Sequence, residues 1–373
     1  MEPDSRRRSD RDGHVPPTAG AGSGRRRVAP GAHHGVWLSR ELGVGRSRQC
    51  SEFLPTYMAW NLKVRYQQSI HFKRNTGSNM TIGAIYFLGD EFVALSDGKI
   101  SRNDGTTSLD SAEKMRVFEP YYTFATANMG RVKFRKKTFG KWFISYAGTH
   151  LLCTETINRF LDIFVKLYAD YTNSGQCIEI VEGFAAADTY HDDINIPPNE
   201  LPEMDGLFIA RLLQQAMVES GSEFGGNRYA PDAEFLLFGL EGGSRWKAFK
   251  FQYDNTHFQK GDRAKATFES IRSSTLATIG DPSRIDILYS VPDLKDLLER
   301  SSINAMEYSY GSKSTQDIQL MTKFPDSPGS YIYDRVIDIL PRLVNEGVGG
   351  TFRVVYGKYS TIISDVHLPI EGQ

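Results

Sequence analysis

The stretch over residues 80–99, MTIGAIYFLGDEFVALSDGK, sets two apolar runs on either side of Gly89-Asp90. Gly-Asp between β-prone runs is the composition of a tight hairpin, which predicts strands over 81–88 and 91–98. Its register has two solutions. A two-residue loop pairs Leu88 with Glu91 and sets Thr81 opposite Gly98; a three-residue loop pairs Phe87 with Glu91 and sets Thr81 opposite Asp97. Directly opposed residues share a sheet face with Cβ atoms about 4.5–5.5 Å apart. The second register aims Asp97 at Thr81 and is the preferred expectation.

The hairpin also marks a change in the chain. Ahead of it lie Arg6-Arg7-Arg8, Arg25-Arg26-Arg27 and much Gly, Pro, Ser and Ala, without apolar periodicity up to about Cys50. Such a stretch buries too little apolar surface to offset its ordering entropy. Residues 1–79 are therefore expected to be a disordered leader, read as a translated upstream region in preference to a nucleic-acid-binding tail. Residues 80–373 are expected to form the folded domain.

Within that domain, strands are expected near 114–118, 121–127 and 142–147. The segment LLCTETINRFLDIFVKLYADY after Gly148 has helical apolar spacing at Leu152, Ile157, Phe160, Leu161, Phe164 and Leu167. It is predicted as one long helix. Further helices are expected near 203–219, 284–300 and 330–345, with strands near 233–241, 245–253, 275–279 and 351–357. Two strand blocks separated by helices indicate a layered α+β domain.

Net charge is −1, so the whole molecule is no electrostatic binder of nucleic acid or membrane. Its three cysteines show no zinc spacing and fit a reducing cytoplasm. No apolar run approaches the roughly 18–20 residues of a membrane span. No phosphate loop or cofactor motif is found, so no cofactor and no metal are expected. His191-Asp192-Asp193 lacks a second ligand group and reads as a loop, with Asp188 part of the same acidic patch. Lys133, Arg135, Lys136, Lys137 and Lys141, interleaved with Phe134, Phe139 and Trp142, read as an exposed β-hairpin in preference to a binding surface.

Thr81 directly follows Met80. Were Thr81 the first residue of the working chain, it would carry a hydroxyl nucleophile and a free α-amine together. Thr81-Ile82-Gly83-Ala84, the paired strands and Ser96-Asp97-Gly98-Lys99 resemble the opening of proteasome β-type subunits and of the bacterial two-component protease ring, both N-terminal-nucleophile hydrolases. Ile144-Ser145-Tyr146-Ala147-Gly148 before a helix, Thr278-Ile279-Gly280 and Val348-Gly349-Gly350 also resemble that family, over roughly residues 80–357. The resemblance implies a four-layer αββα sandwich and a threonine-type peptidase. Thr81 would be its nucleophile, Asp97 its orienting carboxylate and Lys114 its charge-stabilising amine. Backbone N–H groups at Ala147 and Gly148 would form the oxyanion hole. It further implies a homo-oligomeric ring or stacked assembly acting on peptides or proteins; an ATPase partner is not specified by the sequence.

The chain departs from the family in places. Asp281 stands where a serine is usual, and Asn345 and Val348 stand where Asp and Ser are common; Asp281 and Asn345 remain the expected supporting residues. An alternative alignment sets Met80 at the nucleophile position and makes the protein a catalytically inactive subunit, a scaffold or binding module.

Overall fold

The computed structural model describes residues 81–370 apart from 102–106, 110, 129–130, 172–177, 184–195, 198, 225–229, 244, 299–326 and 346–347. All of these residues belong to the unit Ser69–Gln373. The expected leader and the loop at Asp188, His191, Asp192 and Asp193 lie outside the described residues.

Apolar runs near both ends of the domain join in one five-stranded sheet, and those of its middle form another. The first has the order β14 (Thr275–Gly280), β1 (Ile82–Phe87), β2 (Glu91–Ser96), β15 (Gly350–Lys358), β16 (Thr361–Ile370). The second has the order β13 (Ala266–Ser270), β12 (Arg245–Tyr253), β11 (Ala233–Glu241), β8 (Trp142–Gly148), β5 (Met115–Phe118). A third sheet, of four strands, runs β10 (Ile178–Glu182), β9 (Leu167–Tyr171), β6 (Tyr121–Asn128), β7 (Arg131–Thr138), and a short ribbon pairs β3 (Ile100–Ser101) with β4 (Thr107–Leu109). Pairing is antiparallel except between β6 and β9.

Side chains alternate across a strand, so a strand covered on both faces reads as a continuous apolar run. That is the case for β1. Ile85 and Phe87 join Phe92, Phe143, Leu236 and Phe238 in a core shared by the two five-stranded sheets. Ile82, Ala84 and Tyr86 face the other way, toward Ile332, Val336 and Leu340 of helix Pro328–Leu343. Helices α1 (His150–Val165) and α2 (Gly206–Glu223) cover the second sheet, burying Leu152, Ile157, Phe160, Ile209, Leu213 and Met217 against Ile144, Phe235 and Phe251. Ile285–Tyr289 is α3, so Pro328–Leu343 becomes α4.

Phe160 is fully buried, with ring centroids 5.2 Å from Phe118 and 5.1 Å from Phe164. Phe160→Ala removes that payload and leaves a cavity, an expected loss of about 3–5 kcal/mol, measurable as a lower midpoint in urea unfolding.

The expected four-layer αββα N-terminal-nucleophile sandwich is corrected: the described residues are mostly antiparallel sheet, with a third sheet that such a sandwich does not contain. The physical reason lies in two segments. Residues 121–138 form a long ribbon, and the helix predicted through Tyr171 stops at Val165, after which Leu167–Tyr171 pairs with that ribbon as β9. The backbone N–H of Lys166 caps the carbonyls of Ile163 and Phe164, closing the helix before the apparent periodicity ends. The predicted helix over 284–300 is broken after Tyr289. Strand β16 was not expected, although Asp365 and His367 alternate with Ser364, Val366 and Leu368 along it.

Candidate functional site

The hairpin closes with Phe87 opposite Phe92 and the N–H of Leu88 donating to the Glu91 carbonyl at 2.8 Å. This is the two-residue register. The preferred three-residue register is corrected: Asp97 stands opposite Ile82, not Thr81, and its N–H donates to the Ile82 carbonyl at 3.1 Å. In return, the Ile82 N–H donates to Asp97 Oδ1 at 3.0 Å. A carboxylate bound this way fixes the end of the hairpin and leaves its remaining lone pairs for a cation.

Lys114 supplies that cation from the residue just before β5. Its Nζ lies 3.2 Å from both Asp97 oxygens and 2.7 Å from Thr81 Oγ1. Thr81, Asp97 and Lys114 are 7%, 1% and 3% exposed, so the chain of contacts runs in a nearly dry space. Asp97 therefore reaches the threonine only through the lysine.

Burial pushes the Asp97 carboxyl above its usual range, with the Lys114 charge opposing, and pushes the Lys114 amine below its usual range, with Asp97 opposing. A raised carboxyl makes its charge a cost to folding above the ordinary carboxylate range. A lowered amine makes its charge a cost below the ordinary lysine range. Both costs act at pH 7, so this pair opposes stability where it would serve chemistry.

The wall behind Thr81 comes from the segment after β14. The Asp281 N–H donates to the Thr81 carbonyl at 2.8 Å. Gly280, at φ +93°, has no room for a side chain: a Cβ there would collide with that same carbonyl, and its next neighbour would be Ala147 Cβ. Ala147 is thereby beside the threonine, and Gly148 follows it at φ +111° at the entry to α1. The next N–H, that of Thr149, is spent on the Asp232 carbonyl at 2.8 Å. The Cys153 thiol, under the same turn, donates to the Ala147 carbonyl at 3.6 Å, and burial pushes its ionisation upward.

Asp281 Oδ1 accepts from the N–H and hydroxyl of Ser283 at 2.9 and 2.7 Å, and its Oδ2 accepts from Asn345 Nδ2 at 3.3 Å. The Asn345 carbonyl accepts from Lys99 Nζ at 3.4 Å. Thus Asp281 touches Thr81 through its backbone, while Asn345 stands one contact further out. Ser283 was missed, although Asp281-Pro282-Ser283 carries the signal of a capped helical turn. Lys99, at the hairpin's end, carried no sequence signal for its contact with Asn345. No group of three His, Cys, Asp or Glu side chains among the described residues is placed to hold a metal ion. No helix among them is long and apolar enough to cross a membrane.

No protein-family model and no curated protein matches the chain. Solved structures do. An Anbu (Gly-1) mutant from Hyphomicrobium sp. strain MC1 is 11% identical with a TM-score of 0.39, covering 79% of this chain and 89% of that one. Anbu (ancestral beta-subunit) from Yersinia bercovieri is 12% identical with a TM-score of 0.38, covering 78% and 88%. The helical assembly of the Anbu complex from Pseudomonas aeruginosa gives 13% identity and a TM-score of 0.34, covering 78% and 86%. Anbu is distinct from the proteasome β-type family, so the recognition drawn from Thr81, Asp97 and Lys114 is corrected there. Likeness at this level assigns no activity. Any role for the three residues rests on their own geometry.

Proposed function

We propose that Thr81, Lys114 and Asp97 form a latent threonine-type centre for amide or peptide hydrolysis, competent only when Thr81 is the first residue of the chain. The observation that supports this most is the 2.7 Å contact from Lys114 Nζ to Thr81 Oγ1, in a site where Asp97 holds the same amine. An ammonium there stabilises negative charge on the hydroxyl oxygen. It does not remove the hydroxyl proton, so a base is still needed. A terminal α-amine, with an ordinary pKa of about 7.7–8.0, supplies one. The oxygen would attack the substrate carbonyl as its proton passes to the amine. Backbone N–H groups near Ala147 and Gly148 would take the oxyanion, the leaving amine would depart with a proton, and water would then cleave the Thr81 ester.

The peptide bond from Met80 to Thr81 favours a second reading. While it stands, the nitrogen is an amide without basicity, and the chain is a catalytically inactive subunit serving as a scaffold or binding module. The Pseudomonas aeruginosa Anbu complex forms a helical assembly, and self-association is the matching expectation here.

The two readings separate in one experiment. A chain beginning at Thr81 should cleave a fluorogenic peptide library, with an acid limb that rises as the amine deprotonates. Thr81→Ala should lower kcat/KM by about a thousandfold or more. Equal rates in both proteins would leave only the scaffold.

A further inference from the structure

Arg353 is an ion in the middle of a buried strand. It stands on β15 between Phe352 and Val354, both fully buried, and is itself 9% exposed. Each nitrogen of its guanidinium donates a hydrogen bond. Nε and Nη2 donate to the two Asp365 oxygens at 2.9 and 2.8 Å, across to β16. Nη1 donates to the Met115 carbonyl at 2.7 Å and to Glu113 Oε1 at 3.1 Å. Glu113 and Met115 are the two neighbours of Lys114. On its other side, Arg353 is the cross-strand partner of Ser96, the residue before Asp97.

The side chain thus touches both flanks of Lys114, while its backbone pairs with the strand that delivers Asp97. A bidentate carboxylate pair holds a guanidinium in one orientation, as a point cation would not. The Asp365 carboxyl is held below its usual range by its hydrogen bonds to Arg353, as expected of a tight pair. A cavity of about 140 Å³ lies alongside, lined by Ser96, Lys114, Met115, Thr351, Arg353 and His367 among others. Asp97 binds the Lys114 amine itself, whereas Arg353 binds the two residues on either side of it.

We propose that Arg353 is the positioning residue of the centre: anchored by Asp365, it grips residues 113 and 115 and so aims the Lys114 amine at Thr81. This rests on the hydrolase reading only for its consequence on rate. The placement of Lys114 is testable without turnover. In the full chain, acylation of Lys114 by a water-soluble succinimidyl ester, followed by peptide mass spectrometry, reports whether the amine is still buried. Arg353→Gln should raise that labelling tenfold or more, and Arg353→Lys, which keeps one donor for the Met115 carbonyl, should fall between. In the chain beginning at Thr81, the same variants should slow adduct formation at Thr81 in the same order. A thermal melt accompanies each variant. Should Arg353→Gln fail to fold, Asp365→Asn loosens the same anchor and should raise labelling severalfold.

Unchanged Lys114 labelling in folded Arg353→Gln or Asp365→Asn overturns the proposal. Raised labelling, with no adduct at Thr81 in any protein, would uphold the positioning role and overturn the hydrolase reading instead.

Discussion

Lys114→Met is expected to abolish turnover in the chain beginning at Thr81 and to lower stability by about 3–5 kcal/mol. The two effects have one origin. Lys114 Nζ is the cation 3.2 Å from both Asp97 oxygens, and the Asp97 side chain has no solvent exposure. Methionine fills a similar volume but strands a buried carboxylate. Adding Asp97→Asn should recover much of the lost stability, since an amide oxygen can still accept the Ile82 N–H that now lies 3.0 Å from Oδ1. Activity should not return with it. Urea unfolding of the single and double variants measures the coupling. Additive losses would mean the pair is not energetically joined.

Gly280→Ala should be comparably damaging without replacing an ionisable group. The residue sits at φ +93°, and its missing Cβ leaves room for the Thr81 carbonyl. Alanine must strain its own backbone and push that carbonyl away from the Asp281 N–H that binds it at 2.8 Å. The expected cost is about 3 kcal/mol or more, with Thr81 displaced from Lys114. Melting temperature reads the first effect, and the rate of Thr81 adduct formation reads the second. Both unchanged would show that the close approach at Gly280 does not hold the threonine.

The local parts of this site could be read from the residues themselves, whereas its distant members, Lys114, Asp281 and Asn345, were named only through a family resemblance. Gly89-Asp90 specified a tight turn because its neighbours are β-prone on both sides, and β1 and β2 follow within a residue or two. The register follows the simpler two-residue loop, which turns Asp97 toward Ile82 and leaves Lys114 to bridge to Thr81. The carboxylate reaches the site through a lysine. No hairpin rule predicts that. Helical spacing from Leu152 to Leu167 ran on past a helix that its own cap ends at Val165, since periodicity alone cannot separate a helix's last turn from the start of a strand. Arg353 has partners that local sequence does not reveal: Asp365, 12 residues away, and Glu113 and Met115, 240 and 238 away. An arginine inside an apolar strand was the available signal; its partners were visible only in the fold.

In the proposed centre, Thr81 holds a nucleophile made ready by Lys114 and completed by a free amine. An α′,β′-epoxyketone tests this directly, because it closes a ring only on a residue offering both hydroxyl and terminal amine. Intact mass and peptide mapping should place one adduct on Thr81 in the chain beginning there, and none in the chain that retains Met80. A Thr81-first protein that stays unmodified, or carries its adduct elsewhere, would rule out Thr81 as the nucleophile.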